Sequence, residues 1–277
     1  MSISNFIPVI WSEQLHQSLD EQYVGVAHCN RDFEYELKEK GGNKIKICGV
    51  GSIDIHNFDP DTALAAPQSV DDTCIELEIN QKKYFNFMIN DVDLAQTSPR
   101  LVEHTTKVAA AALAKNAERY IFELCKNNSQ QISCEDPSPE AIIQAILGAR
   151  QKLYENNVSE GSEVVFEVTP AVATELLKLK LFMPNADSNL FETGYLGGFA
   201  GCKIYVSNNL VKEGDVLHYC VMRTTRAVAF AEQLSEVEAY RPELRFADAM
   251  KGLHLYGARV VYPDEMVLLD FKMNLGN

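Results

Sequence analysis

The chain has 277 residues, 46% of them hydrophobic and 23% charged, which is enough apolar material for one large domain or two smaller lobes and excludes a disordered or low-complexity protein. Its 39 acidic against 25 basic side chains leave a net charge of −14, which repels a phosphate backbone and argues against sequence-specific nucleic-acid binding. Seven cysteines, at positions 29, 48, 74, 125, 134, 202 and 220, are scattered without a Cys-x-x-Cys pair and read as reduced, buried thiols of a cytosolic chain. No basic region followed by an apolar run opens the chain and no stretch approaches ~18 apolar residues, so neither a signal peptide nor a membrane span is expected.

In chain order, Trp11, Leu15, Leu19 and Tyr23 recur at steps of four and predict an amphipathic helical arm within Phe6 to Val26, packed on its own domain or on a neighbour. From Phe33 to Ile89 the period changes to two. Phe33, Tyr35 and Leu37, then Ile45 and Ile47, Ile53 and Ile55, Ile75, Leu77 and Ile79, and Phe85, Phe87 and Ile89 predict strands with one apolar face each. The segment Asn57 to Thr73, with Pro60, Pro67, Asp59, Asp61, Asp71 and Asp72, reads as a polar tip between two strand groups. If Lys44 to His56 pairs with Asp72 to Asn86 across that tip, each arm runs about 13 residues and ~40 Å, and its apolar face needs a covering surface. The alternative is that these strands belong to the main sheet of a compact monomer.

Ser98 as cap and Pro99 at the first helical position start a long helix, carried by Leu101, Thr105, Val108, Ala112, Leu113, Tyr120, Ile121 and Leu124 to about Cys125. Such a rod, roughly 40 Å at ~1.5 Å per residue, suits an elongated subunit. Ser138, Pro139 and Glu140 start a second capped helix through about Glu155. Val164 to Val168, Cys202 to Val206 and Leu217 to Met222 predict strands, and Pro170 opens a helix to about Lys180, giving a small α/β lobe. Ala227 to Phe230, Val237 to Tyr240, Leu244 to Met250, Leu253 to Tyr256 and Arg259 to Tyr262 predict further strands that return to the earlier part of the chain for a core.

No catalytic constellation emerges. Gly194, Gly197, Gly198 and Gly201 precede a strand without the Lys-Ser or Lys-Thr of a P-loop or the order of a dinucleotide fingerprint, and read as a surface loop turning sharply. His218 with Cys220, and His28 with Cys29, lack further ligands at zinc spacing and read as satisfied interior residues. The aspartates of the tip lack the pattern of a calcium loop.

Several phrases spread over the chain carry a resemblance. They are Asn5-Phe6-Ile7-Pro8 with Ile10-Trp11; Asn30-Arg31-Asp32; Lys83-Tyr84-Phe85-Asn86-Phe87 leading to Asp91-Val92-Asp93; Arg226-Ala227-Val228-Ala229-Phe230-Ala231-Glu232-Gln233; Glu238-Ala239-Tyr240-Arg241-Pro242-Glu243 through Phe246-Ala247-Asp248; and Gly252-Leu253-His254-Leu255-Tyr256-Gly257-Ala258. In this order, over roughly residues 3 to 265, they resemble the major capsid proteins of tailed bacteriophages, which have the Hong Kong 97 fold.

The resemblance implies an α+β subunit in four parts: an N-terminal arm over 1–32, an extended hairpin loop over 33–90, a peripheral domain over 91–135 and 234–277 with a spine helix at 99–125, and an axial α/β domain over 136–233. It implies a shell protein and not an enzyme, with no cofactor or metal. Copies would gather into pentamers and hexamers of an icosahedral virion assembled in the host cytoplasm. The residues expected between copies are Phe6 and Trp11 on the arm, Phe58, Asp59, Asp61, Asp71 and Asp72 at the tip, and Gly197 and Gly198 in the axial domain. The implied partners are a portal protein, a scaffolding protein, in some members a maturation protease and a decoration protein, and enclosed double-stranded DNA bound without sequence specificity; no membrane is implied. The sequence presents no extra scaffolding region at its start, so scaffold is expected as a separate or removed segment. Two rivals stay open: an encapsulin-type nanocompartment shell, and a soluble cytosolic α/β enzyme with a ligand near Gly197.

Overall fold

The computed structural model describes residues 15, 17–20, 22–34, 43–50, 72–90, 101–128, 130–136, 138–158, 161–178, 194–214, 216–244 and 246–273. In chain order the strands and helices are β1 (Lys44–Val50), β2 (Asp72–Glu78), β3 (Gln81–Asn90), α1 (Leu101–Asn128), β4 (Gln130–Cys134), α2 (Pro139–Glu155), β5 (Val164–Val168), α3 (Pro170–Lys178), β6 (Tyr195–Phe199), β7 (Cys202–Val206), β8 (Lys212–Glu213), β9 (Leu217–Thr224), β10 (Val228–Tyr240), β11 (Ala247–Val260) and β12 (Met266–Lys272).

The largest sheet has the order β4-β12-β9-β5-β7-β6, with β8 paired to β9. It is mixed: β12 runs parallel to β4 and antiparallel to β9, and β5 runs antiparallel to β9 and parallel to β7. Its central strands are apolar on both faces because each face meets its own core. Val267, Leu269 and Phe271 of β12, Cys220 and Met222 of β9 and Phe166 of β5 pack under α2 and α3, against Ile142, Ile146, Leu153, Val172 and Leu176. On the opposite face Met266 and Leu268 of β12 and Tyr219 and Val221 of β9 meet α1 through Leu113, Ala117, Ile121, Phe122 and Cys125. The helix α2 starts as its sequence predicts, with the Ser138 hydroxyl accepting from the Ala141 amide at 3.4 Å and Pro139 in the first turn.

A second sheet, β10-β11-β3, shares the α1 core. Val228 and Phe230 of β10, Tyr256 and Ala258 of β11, and Phe85 and Phe87 of β3 face that core, together with Leu15, Leu19, Tyr23 and Val26 from the N-terminal part. The strands β10 and β11 are long and continuous, with one irregularity between Ser235 and Glu238.

The strands β1 and β2 form a separate two-stranded antiparallel ribbon, with Lys44 opposite Glu78 and Val50 opposite Asp72. The pairing across the expected tip is therefore present, but the second arm is shorter than the expected Asp72 to Asn86. It stops at Glu78, and β3 leaves to pair with β11. The apolar face of the ribbon is also not left for a neighbour at this level: Ile45, Ile47, Leu77 and Ile79 are buried against Ala229 and Ala231 of the same chain. Gly257 makes that seating possible, since a Cβ there would lie 2.1 Å from the carbonyl oxygen of Glu78.

Further expectations are corrected. The strand expected from Phe33 begins as a turn, in which the Glu34 amide donates to the Arg31 carbonyl and the Arg31 guanidinium pairs with the Glu34 carboxylate. The glycine segment is a β-hairpin and not a surface loop: Gly197 and Gly198 lie in β6, and only Ala200 and Gly201, both at positive φ, make the turn, as a two-residue hairpin connection requires. The thiols are not all buried, because Cys48 and Cys74 are exposed on the ribbon. Leu244, expected in a strand, lies in the connection before β11.

Candidate functional site

The expected contact residues fall in three places. Phe6, Trp11, Phe58, Asp59, Asp61 and Asp71 lie outside the described residues. Asp72 opens β2 opposite Val50. Gly197 and Gly198, on β6 at one edge of the large sheet, pair with Ile204 and Lys203 of β7. The structure thus places Asp72 and the glycine pair on different sheets.

What the described residues build most completely is a junction that fastens the N-terminal segment, residues 22–34, to both sheets through three buried carboxylates. Glu118 of α1 accepts from the amides of Val24 and Gly25, the latter at 2.7 Å, and from the Asn209 side-chain amide at 2.6 Å. Glu167 of β5 takes two hydrogen bonds from the fully buried Arg223 of β9, at 3.0 and 2.8 Å. The same guanidinium donates to the backbone carbonyls of His28 and Gly25 at 3.0 and 2.8 Å, so one cation joins two strands to the segment. Glu232 of β10 accepts from the Tyr23 hydroxyl at 2.6 Å and from Arg31 at 2.7 Å, and its other close partner is the His254 imidazole at 2.9 Å.

Burial alone would raise the Glu167 and Glu232 carboxyls, since it penalises their charged forms. The Arg223 charge overcomes it at Glu167, and the hydrogen bonds from His254 and Tyr23 with the Arg31 charge overcome it at Glu232, so both stay below the ordinary carboxylate value. Burial, with Glu232 alongside, pushes the Tyr23 phenol up and keeps it a donor. The three carboxylates each accept from more than one donor group of the N-terminal segment or the chain around it, which suits a fastening. Sequence periodicity marks Tyr23 but not Glu118, Glu167 or Glu232, because a carboxylate on a helix or a strand reads as a solvent-facing position even where it is buried.

The residues weighed for chemistry have structural partners. His218 is buried with its Nδ1 3.0 Å from the Thr169 hydroxyl, Cys220 is buried beside it, and His28 lies 3.5 Å from Glu167. Among the described residues no group of three or more His, Cys, Asp or Glu is placed to hold a metal ion, and no helix is long and apolar enough to cross a membrane.

Exposed apolar side chains that the sequence did not single out mark the surface instead. Leu244 and Phe246, in the connection between β10 and β11, are 96% and 87% exposed, and Tyr84 on the edge strand β3 is 78% exposed. Leu244 and Phe246 fall within the strand predicted over Leu244 to Met250, which hides their exposure in the sequence.

No protein-family model and no curated protein matches the sequence. Solved structures do match along nearly the whole chain. A chain of Mycobacterium phage Che8 superposes with a TM-score of 0.72 at 26% identity, covering 89% of this chain and 90% of that one. The capsid structure of the cyanophage P-SCSP1u gives a TM-score of 0.65 at 16% identity, covering 84% of each chain. The virus-like particle from Pyrococcus furiosus gives 0.59 at 14% identity, over 93% of this chain and 96% of that one. The β1–β2 ribbon, the long α1 helix and the two sheets around it are therefore parts of one architecture: the chain has the phage major capsid protein fold, of the Hong Kong 97 type.

Proposed function

We propose that this chain is the major capsid protein of a tailed phage, a shell subunit that assembles into the pentamers and hexamers of an icosahedral head around double-stranded DNA. The observation that carries the reading is the match to phage structures over 89% and 84% of this chain. The physical logic is head-to-tail association: one surface patch binding a different patch on the next copy closes into rings and repeats into a shell. The four-part division into arm (1–32), extended loop (33–90), peripheral domain (91–135 and 234–277) and axial domain (136–233) belongs to this proposal, and strand pairing crosses its boundaries at β3 and β12. So do the contact roles of Phe6, Trp11, Phe58, Asp59, Asp61, Asp71, Asp72, Gly197 and Gly198, and the expected portal, scaffolding, protease and decoration partners.

A second reading, an encapsulin-type compartment, is favoured by the match to the Pyrococcus furiosus particle, and the lower TM-score places it behind the first. Purified full-length protein, sedimented and viewed by negative stain, is expected to give closed particles, rings or tubes. Co-expressed with a portal, it is expected to protect DNA from nuclease. Particles that instead enclose a protein cargo would select the compartment reading, and a monomer at every concentration would defeat both.

A further inference from the structure

The ribbon has two chemically different faces. Ile45, Ile47, Leu77 and Ile79 point into the core against β10, while Lys44, Lys46, Cys48, Cys74, Glu76 and Glu78 are exposed on the other side. Across that outer face Lys44 lies opposite Glu78, Lys46 opposite Glu76 and Cys48 opposite Cys74. The amide of Ile79 donates to the carbonyl of Asn43 at 2.8 Å, which makes 43 and 79 a hydrogen-bonded pair of the antiparallel ladder. Alternation along an uninterrupted register then makes 48 and 74 a non-hydrogen-bonded pair, the closer kind, with Cα atoms ~4.5 Å apart. That separation falls within the ~4.4–6.8 Å that a disulfide spans. The two sulfurs are 2.8 Å apart.

We propose that Cys48 and Cys74 are a dithiol site on the exposed face of the ribbon that closes into an intrachain disulfide on meeting a low-molecular-weight disulfide. The thiolate of one cysteine attacks a sulfur of the reagent, breaking its S–S bond and releasing one thiolate. The second cysteine, as thiolate, attacks the protein sulfur of the resulting mixed disulfide and expels the other half of the reagent. The two cysteines together lose two protons and two electrons, and the reagent gains both as two small thiols. Closure ties the ends of the segment 49–73.

The other five thiols stand apart from this chemistry. Cys29, Cys125, Cys134, Cys202 and Cys220 are buried, and burial pushes Cys125 and Cys220 up to about 12, so their reactive thiolate forms are suppressed. A shell formed in a reducing cytosol and then released would meet an oxidising medium only after assembly, a consequence that rests on the proposed function, whereas the site itself does not.

The test uses reduced, folded, full-length protein, prepared as an equal mixture of nitrogen-14 and nitrogen-15 chains and incubated with oxidised glutathione. Remaining thiols are then blocked with N-ethylmaleimide and peptides are mapped without reduction. The expected result is loss of two thiols per chain, with one Cys48–Cys74 linked peptide whose halves carry the same isotope. Stable glutathione adducts on both cysteines, unreacted cysteines, or linked peptides of mixed isotope would overturn the proposal. Cys48→Ser is expected to leave a persistent glutathione adduct on Cys74 and no new linkage; loss of two thiols in that variant would also overturn it.

Discussion

The large mixed sheet and the β1–β2 ribbon are held in opposite ways. The sheet is sandwiched: β12 and β9 send alternate side chains into two separate cores, so removing either covering layer would leave the other face packed. The ribbon has one apolar face, and the small residues Ala229, Ala231 and Gly257 on the strands beneath it let its backbone come close. A two-stranded ribbon is marginal by itself in water, so its order depends on that seat. The contrast makes the ribbon the region whose order depends on a single seat and the large sheet the region held from both sides.

The sharpest way to break the contrast is at the buried junction. Arg223→Met leaves the buried Glu167 carboxylate with only His28, 3.5 Å away, as a described ion-pair partner and removes the guanidinium donors to the carbonyls of Gly25 and His28. Loss of one partner from a buried pair costs about 3–5 kcal/mol, so chemical denaturation should show the whole molecule destabilised by that order.

Gly257→Ala acts on the ribbon instead. The added methyl would meet the Glu78 backbone, and overpacking of this kind costs about 1–3 kcal/mol. Hydrogen exchange should speed up in β1 and β2 while the amides of β5, β9 and β12 keep their protection; equal loss in both regions would mean that the ribbon and sheet are one cooperative unit.

Acid provides a graded version of the first experiment. Glu167 and Glu232 have folded values below their ordinary value of 4.5. Their contribution to stability is complete above that value and is lost as the pH falls through the lower, folded values. The denaturation midpoint should therefore drop as the pH falls below 4.5 and through the lower, folded values, and Glu232→Gln should flatten that dependence.

The smallest effect on stability is expected at the exposed apolar tip. Leu244→Asp with Phe246→Asp changes two side chains that the chain itself does not bury, so the shift should stay within about 0.5 kcal/mol. On the proposed function the same double variant should lose particle formation, a split between folding and assembly that light scattering and denaturation together would detect.

The sequence was most legible where burial is complete on both faces or where caps punctuate the chain. The strands β5 and β7 and the start of α2 lie where their apolar runs and Ser138-Pro139 place them. The sequence divides β10 because the buried Glu232, paired with His254 inside the molecule, looks like a solvent position, and divides β11 at Lys251-Gly252 and Gly257-Ala258, where glycine carries no side chain to continue the period. β6 is hidden in the sequence because Gly197 and Gly198 carry no side chain to show a period, and β12 because it follows the turn Pro263–Glu265, beyond the last predicted strand at Tyr262. Exposure of Cys48 and Cys74 depends on which ribbon face meets β10, a long-range fact outside local patterning. Most of the expected contact residues lie outside the described residues, so their roles rest on the proposed function and its tests.

The central claim, a shell subunit whose ribbon base rests on its own β10 and β11, is tested most directly by cryo-electron microscopy of particles grown from the full-length protein. The account predicts a closed shell with five-fold and six-fold clusters, in which Ile45, Ile47, Leu77 and Ile79 cover Ala229 and Ala231 of the same copy and the chain beyond Val50 contacts the next copy. Dispersed monomers, or a shell in which no contact between copies involves the segment from Val50 to Asp72, would contradict it.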